Sequence, residues 1–177
     1  MFNGKKIQFL ISKGISLYKL KKFSKAADYF NEATKINPLY HTAWCNKGVA
    51  LDKLGKHNEA LDCFNEAIKI NPLYYTAWCN KGVALDEFGK YNEEIDCFNK
   101  AIKINPEFEK AWCNKGIALD KLGRYNEEID CFNKAIEINP FYYRALYYKG
   151  AALVEHGQFD EAKVCYDRAL KIHKKMK

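Results

Sequence analysis

The sequence of 177 residues predicts an all-α fold in which pairs of antiparallel helices follow one another and stack as a solenoid. The first observation behind this prediction is a period of 34 residues, since the segment Ala43-Trp-Cys-Asn-Lys-Gly48 recurs from Ala77 and again from Ala111. The second is that apolar residues keep the spacing of a helix face, whereas no segment alternates as a strand does. A fixed period of this length is typical of repeat proteins, in which each unit covers its apolar surface by packing on its neighbours.

The period divides almost the whole chain into five repeats. The central three are the most alike, and fainter copies on either side keep Gly14 and Gly150 at the position of Gly48. The repeats span residues 7–40, 41–74, 75–108, 109–142 and 143–176. We therefore expect a short N-terminal tail over residues 1–6 and a single domain over residues 7–176.

Within a repeat, glycine and proline mark where each of two helices ends. In the second repeat, Trp44 and Leu51 lie on one face of the first helix, and Gly55 follows as a C-terminal stop. Phe64 belongs to the apolar stripe of the second helix, and Pro72 ends that helix because proline disfavours helical geometry in the residue before it. Each second helix should begin at a side chain whose oxygen accepts an orphan backbone N–H. The predicted capping residues are Ser24, Asn58, Asn92, Asn126 and Asp160.

Composition and charge narrow the class of protein. Lys and Arg number 29 against 22 Asp and Glu, which gives a formal net charge of +7. No apolar run approaches the roughly 20 residues that cross a bilayer, and the first residues are too interrupted for a signal peptide. We therefore expect a cytoplasmic protein without a membrane partner.

The sequence shows no arrangement of catalytic or metal-binding residues. Its four histidines occupy four different positions of the repeat, namely His41, His57, His156 and His173. Six of the seven cysteines recur with the repeat. Equivalent residues on successive helices lie about 10 Å apart, whereas zinc holds its sulfur ligands at about 2.3 Å. No glycine-rich phosphate loop, nucleophile motif or His-Glu zinc motif is present. The sequence therefore predicts a protein that is not an enzyme and holds no metal or cofactor.

The repeat resembles the tetratricopeptide repeat, whose pattern places a Trp, a close-contact Gly and a terminal Pro where this chain has Trp44, Gly48 and Pro72. The match recurs in register over residues 7–176. The resemblance implies a right-handed superhelical solenoid whose first helices line a concave groove. It also implies a non-catalytic scaffold for protein–protein interaction, which binds a peptide or a helix of a partner protein in that groove.

The chain departs from this pattern at a few positions. Glu94 and Glu128 replace a small Ala of the second helix, which puts the local contact between helices in question. Lys21 stands at the turn position where later repeats have Gly. Lys163 stands where the preceding repeats offer apolar surface to the next repeat, as expected for a terminal cap.

The first-helix residues that do not serve the core stripe form the predicted peptide-binding surface. They are Thr42, Cys45, Asn46, Val49, Asp52, Thr76, Cys79, Asn80, Val83, Asp86, Lys110, Cys113, Asn114, Ile117, Asp120, Arg144, Tyr147 and Tyr148. Asn46, Asn80 and Asn114 predict a ladder of amides, which can both donate hydrogen bonds to an extended peptide backbone and accept them from it. Asn is also the commonest residue of the family at this position, so a functional ladder and a plain repeat consensus both stay open.

Two alternatives to peptide binding follow from charge and from repeat similarity. A phosphate backbone needs a basic track, whereas the first helices and their ends carry five basic and five acidic residues along the groove, so RNA binding is a minor alternative and nucleic acid is not the expected partner. The basic residues are Lys19, Lys53, Lys110, Lys121 and Arg144, and the acidic residues are Asp52, Asp86, Glu87, Asp120 and Glu155. The similarity of the central repeats leaves open a self-assembling structural scaffold, in which the end of one copy continues the stack of another as a homo-oligomer.

Overall fold

The computed structural model describes residues 2–175, with the side chains of residues 4–175. Within that range the chain forms ten helices and no strand, which confirms the all-α prediction of consecutive antiparallel helix pairs. The first five helices are α1 (Phe2–Lys19), α2 (Phe23–Ile36), α3 (His41–Asp52), α4 (His57–Ile70) and α5 (Tyr75–Asp86). The other five are α6 (Tyr91–Ile104), α7 (Glu109–Asp120), α8 (Tyr125–Ile138), α9 (Tyr143–Glu155) and α10 (Phe159–Lys175).

The chain divides into two compact units, here called unit 1, up to Lys90, and unit 2, from Tyr91. Unit 1 contains α1 to α5, and unit 2 contains α6 to α10. The boundary falls between the two helices of the third repeat. Residues 2–6, which the period leaves outside the first repeat, continue helix α1. A single domain over residues 7–176 stays a prediction.

In unit 1, each helix packs on the next along the chain, and α3 also contacts α1 and α5. The close contact within a repeat is made by a glycine against an aromatic ring. A Cβ added at Gly48 would lie 2.6 Å from Cε1 of Phe64, and one added at Gly14 would lie 2.5 Å from Cε1 of Phe30. Only glycine lets these fully buried rings reach the backbone of the first helix.

Unit 2 repeats the same arrangement. Its helices pack in chain order, and α7 also contacts α9. A Cβ at Gly116 would lie 2.6 Å from Cε1 of Phe132, and one at Gly150 would lie 2.9 Å from Cε1 of Tyr166. The core contact within a repeat is therefore the same in both units, as the position of the repeated glycine predicts.

The turn inside each repeat ends in a left-handed residue. Gly55 has φ 73°, and the N–H of Lys56 donates to the carbonyl of Leu51 at 3.0 Å, which satisfies an orphan carbonyl of α3. Lys21 takes the same conformation with φ 57°, and the N–H of Lys22 donates to the carbonyl of Leu17 at 2.9 Å. A residue with a side chain loses about 1–2 kcal/mol of conformational free energy at such a φ, so the backbone of the first turn is strained at Lys21.

The predicted N-capping residues are wrong. Every second helix begins one residue before the predicted cap, so that Asn58, for example, lies inside α4. The residues that precede α2, α4 and α8, which are Lys22, Lys56 and Arg124, make no side-chain capping hydrogen bond. The left-handed residue turns the chain sharply enough that helix α4 starts directly, and the carbonyl of Lys56 accepts the N–H of Ala60 at 2.9 Å.

The repeated Trp joins consecutive repeats through its indole N–H. Nε1 of Trp44 donates to the carbonyl of Pro38 at 2.8 Å, and Nε1 of Trp112 donates to the carbonyl of Pro106 at 2.8 Å. Each Trp is half-buried, and a lysine three residues further on lies over its ring. In unit 1, Nζ of Lys47 lies 5.2 Å from the Trp44 ring centre. The terminal Pro of a repeat therefore provides a backbone carbonyl that accepts a hydrogen bond from the next repeat.

Across residues 2–175, none of the helices is both long enough and apolar enough to cross a bilayer.

Candidate functional site

In unit 1, the predicted peptide-binding residues lie on α3 and α5, which contact each other. Asn46, Val49 and Asp52 on α3 are half-buried, and Val83 on α5 is 39% exposed. Nδ1 of His57 lies 3.0 Å from Oδ1 of Asp52, and Nζ of Lys53 lies 3.7 Å from Oδ2 of the same carboxylate. The surface of unit 1 is thus a mixture of amide, aliphatic and charge-balanced groups. Thr42, Thr76 and Asp86 are half-buried on the same two helices.

Three of the predicted contact residues are not on the surface. Cys45, Cys79 and Cys113 are all buried, with no more than 4% of each residue exposed. Burial raises the pKa of Cys45 to about 11 and that of Cys113 to about 12, so both thiols stay protonated at neutral pH and neither is a ready nucleophile or thiolate ligand. We therefore leave the cysteines out of the proposed contact surface.

The three ladder asparagines have different surroundings. The side chain of Asn46 makes no hydrogen bond with any other part of the chain that the structure describes. Nδ2 of Asn80 donates to Sγ of Cys45 at 3.4 Å, so this amide is engaged with the neighbouring first helix. Asn114 is half-buried on α7 in unit 2. The equal spacing in the sequence thus does not give equal amides, and a functional ladder stays a prediction.

In unit 2, the contact residues on α7 and α9 include an exposed aromatic pair. Tyr147 is 54% exposed, and its ring centre lies 5.6 Å from that of Tyr148 with the planes nearly perpendicular. The guanidinium carbon of Arg144 lies 5.9 Å from the centre of the Tyr148 ring. Lys110 is exposed and Ile117 is half-buried on α7. This surface offers flat aromatic area and a cation, both of which are frequent in protein interfaces.

Unit 2 also contains a crevice of about 50 Å³ between α7, α8 and α9. Its lining residues are Ile117, Asp120, Glu128, Phe132, Tyr148, Ala151, Ala152 and Glu155. Glu128 is only 4% exposed. Burial, together with the like charges of Asp120 and Glu155, raises the pKa of Glu128 to about 7. A carboxyl in this position is held near its point of half-ionisation at neutral pH.

Sequence reasoning missed several residues that shape these surfaces. Tyr74 and Tyr142, at the ends of their repeats, pack against the core clusters that contain Cys45 and Cys113. Phe132 of the second helix α8 also lines the crevice, although the sequence assigns the groove to first-helix residues alone. The departure of Glu128 from a small residue is the one signal in the sequence that points to the crevice.

The histidines and carboxylates do not assemble a metal centre in the part of the chain that the structure describes, since no three of its His, Cys, Asp and Glu side chains could hold one ion. His57 pairs with Asp52, and His156 stacks on Tyr125 with ring centres 3.4 Å apart. The hydroxyl of Tyr125 donates to Oε1 of Gln158 at 2.8 Å. These rings are used in packing and local hydrogen bonding.

Known protein families match this chain repeat by repeat. A family model described as tetratricopeptide repeat matches residues 41–74, 75–108, 109–142 and 143–176, and a second model with the same description matches residues 7–40. The matched boundaries are those that the period predicts. No curated protein matches the chain in sequence.

Several solved structures share the fold. PilF of Pseudomonas aeruginosa has a TM-score of 0.88 at 16% identity, with 97% of this chain and 78% of that chain covered. MamA (41-end) of Desulfovibrio magneticus RS-1 has a TM-score of 0.77 at 18% identity, with 96% of each chain covered. YrrB, described as a TPR protein with an unusual peptide-binding site, has a TM-score of 0.67 at 19% identity, with 92% of this chain and 84% of that chain covered. At these identities the likeness is one of fold.

Proposed function

This chain belongs to the tetratricopeptide repeat family, and we propose that it is a non-catalytic scaffold whose first-helix surfaces bind a peptide or helix of a partner protein. The observation that carries the proposal is the exposed mixed surface of the first helices. On α9 the aromatic ring of Tyr147 is 54% exposed beside Tyr148 and Arg144, whereas the second-helix rings Phe64 and Phe132 are fully buried.

Magnitudes decide which groups must supply the affinity. Hydrogen bonds from three amides contribute about 1.5–4.5 kcal/mol in total, at about 0.5–1.5 kcal/mol each. A micromolar complex requires about 8 kcal/mol. Aliphatic and aromatic contacts therefore have to supply most of the difference. Val49 and Val83 in unit 1 and Tyr147 and Tyr148 in unit 2 are the residues that offer this area.

The experiment compares capture of proteins from the source cell by the wild-type chain and by surface variants. Tyr147→Ala and Arg144→Ala remove groups from the proposed contact surface of unit 2, and Asn46→Ala with Val83→Ala do so in unit 1. Phe159→Ala is the matched control, because Phe159 is also an exposed aromatic of unit 2 but lies on the second helix α10. We expect the contact-surface variants to lose a captured protein that the control retains, with all variants equally helical by circular dichroism.

The proposal is wrong if the contact-surface variants capture the same proteins as the wild type with equal affinity. It is also wrong if Phe159→Ala alone loses a partner, since the second helices would then carry the binding surface. Isothermal titration calorimetry with a peptide from the captured protein gives the affinities for this comparison.

A second candidate function is self-assembly, and the exposed face of α10 favours it. Leu170 is 52% exposed, whereas Ile68 and Ile136, at the equivalent position of earlier repeats, pack against core clusters. A cavity of about 340 Å³ next to Leu170 is lined by Tyr143, Tyr147 and Tyr166 among others. Light scattering over a range of protein concentrations tests this function. A mass that grows with concentration, and that Leu170→Glu returns to the monomer, supports it, whereas a monomer at every concentration excludes it.

A further inference from the structure

Three carboxylates surround the crevice of unit 2, and no cation faces them. Asp120 comes from the end of α7, Glu128 from α8 and Glu155 from the end of α9. None of the three makes a hydrogen bond or ion pair through its carboxylate with any side chain among residues 4–175. Asp120 and Glu155 are exposed, but Glu128 is 4% exposed. A carboxylate with so little exposed surface and no partner loses much of its hydration without a compensating contact.

The residues that line the crevice include the groups that face Glu128 from the neighbouring helices. Asp120 faces it from α7, and Glu155 faces it from α9, where Tyr148 and the small Ala151 also border the crevice. Both acidic neighbours raise the pKa of Glu128, and burial raises it further. The local field is therefore negative and is not balanced within this part of unit 2.

Two positions of the repeat distinguish this crevice from its counterpart in unit 1. Ala60 of unit 1 stands at the repeat position of Glu128, whereas Asp52 and Glu87 of unit 1 are acidic like Asp120 and Glu155 at the same repeat positions. Val83 of unit 1 stands at the repeat position of Ala151. The first change adds a carboxylate between two acidic positions, and the second removes the branched side chain that would fill the space beside it.

We propose that this crevice binds the ammonium group of a lysine side chain supplied by the partner peptide. The inference rests on the proposed function, because Ile117, Asp120 and Tyr148 belong both to the crevice and to the proposed contact surface of unit 2. A volume of about 50 Å³ suits one ammonium group, since a water molecule occupies about 30 Å³ of liquid. Ile117, Phe132 and Tyr148 provide apolar walls for the methylene stem.

A metal ion fits this arrangement less well than an organic cation. Divalent ions need several oxygens within about 2.0–2.6 Å of one point. In the part of the chain that the structure describes, Asp120, Glu128 and Glu155 do not form a group that could hold one ion. An ammonium on a flexible stem interacts with separated carboxylates through its charge and three N–H donors.

The probe for the first experiment is n-butylammonium chloride, which reproduces a lysine side chain. Nuclear magnetic resonance of carboxyl-labelled protein follows the pKa of Glu128 with and without the amine at constant ionic strength. We expect saturable binding and a fall of about 1 unit or more in the pKa of Glu128, because a nearby opposite charge favours the ionised form. The amine is raised to about 0.1 M, because at that ionic strength exposed charges are already screened beyond about 10 Å. If the pKa of Glu128 is unchanged at that concentration, the proposal is overturned.

Two variants separate the crevice from general charge attraction. Ala151→Val restores the branched residue of unit 1 without a change in charge, and Glu155→Lys supplies an internal ammonium. We expect each variant to weaken n-butylammonium binding by at least about tenfold, which corresponds to the loss of one charge-assisted contact.

Asp62→Lys on the exposed face of α4 is the control, because it makes the same change in charge as Glu155→Lys but in unit 1, and it should leave binding unaltered. Equal weakening by Asp62→Lys, or none by Ala151→Val, shows diffuse attraction and overturns the proposal. Stronger binding of magnesium chloride than of the amine also overturns it.

The second experiment uses a peptide from a partner captured as described above and replaces its lysines one at a time by norleucine. We expect a single replacement to lose affinity in the wild type and to have little effect in Glu155→Lys. A partner that binds through the contact surface without any such lysine overturns this inference and leaves the proposed function intact. Binding of n-butylammonium without any captured partner supports the crevice and counts against the proposed function.

Discussion

Units 1 and 2 are built from the same repeat but differ in the charge of the residues at equivalent positions. In unit 1, Ala60 is fully buried on α4, and the carboxylate of Asp52 contacts Nδ1 of His57 at 3.0 Å and Nζ of Lys53 at 3.7 Å. In unit 2, the residues at that position are the buried Glu94 and Glu128, and the carboxylates near Glu128 have no counter-charge among the residues that the structure describes. The fold therefore fixes the glycine–aromatic core contacts and leaves the electrostatics of each repeat free to vary.

Transferring the carboxylate from unit 2 to unit 1 should have the largest effect. Val83 stands at the repeat position of Ala151, so we expect Ala60→Glu to bury a carboxylate in unit 1 where a branched side chain takes the space that Ala151 leaves in unit 2. We expect a loss of about 3–5 kcal/mol in the free energy of unfolding, measured by urea denaturation. Asn65→Glu on the exposed face of the same helix is the control and should change stability by less than about 0.5 kcal/mol. A small effect of Ala60→Glu would show that unit 1 also holds space for a carboxylate.

Removing the charge from unit 2 should alter how stability depends on pH. The pKa of Glu128 is raised in the folded state to about 7 from 4.5, so the folded state resists ionisation. Its contribution is fully present below pH 4.5 and is lost as pH rises through 7, so stability falls over this interval. Relative to Glu128→Gln, the wild type should lose up to about 3 kcal/mol between pH 4.5 and 8. Parallel curves of stability against pH for the two proteins would contradict this expectation.

The shared core contact should respond alike in both units. A Cβ at Gly48 or at Gly116 meets a ring carbon at 2.6 Å, so Gly48→Ala and Gly116→Ala should each destabilise the chain by about 1–3 kcal/mol. Chemical denaturation followed by circular dichroism measures the loss. Gly4→Ala in α1 is the control, because a Cβ there meets nothing within 4 Å and should stabilise the helix by about 0.5–1 kcal/mol. Unequal losses at Gly48 and Gly116 would mean that the two cores do not share one packing rule.

The smallest expected effect concerns the turn of the first repeat. Lys21 holds a φ of 57°, a conformation that Gly55 and Gly123 take without strain in later repeats. Lys21→Gly should therefore raise the free energy of unfolding by about 1 kcal/mol, and Gly55→Ala should lower it by a similar amount. Thermal denaturation at one protein concentration measures both changes. A destabilised Lys21→Gly would show that the lysine side chain contributes contacts larger than the strain.

The fold was predictable from the sequence because its determinants lie within one repeat. The left-handed Gly55, the close-contact Gly48 and the helix-ending Pro72 each act on a local turn or on a helix pair that recurs. The helix starts were not predictable from capping residues, since Asn58 has the chemistry of a cap but the turn geometry places it inside α4. Local chemistry and local geometry gave different answers there, and geometry determined the helix start.

The candidate site was predictable only in part because its surfaces depend on contacts between repeats. The period identifies Cys45 as a first-helix residue outside the core stripe, but the thiol is buried and accepts a hydrogen bond from Asn80 of the next repeat. The crevice needs Glu128, Ala151 and Glu155 together, and these residues lie on different helices. Glu128 and Ala151 depart visibly from Ala60 and Val83 of unit 1, but only the folded arrangement shows that the two departures meet beside Glu155.

The pKa of Glu128 in the ligand-free protein is the most direct test of the difference between the units, because it reports both burial and the absence of a facing cation. Nuclear magnetic resonance of the labelled carboxyl carbon across a pH titration gives this value, with Glu128→Gln used to assign the signal. The structure predicts a pKa of about 7. A value near the ordinary 4.5 of a glutamate would contradict it, since the carboxylate would then be hydrated or paired.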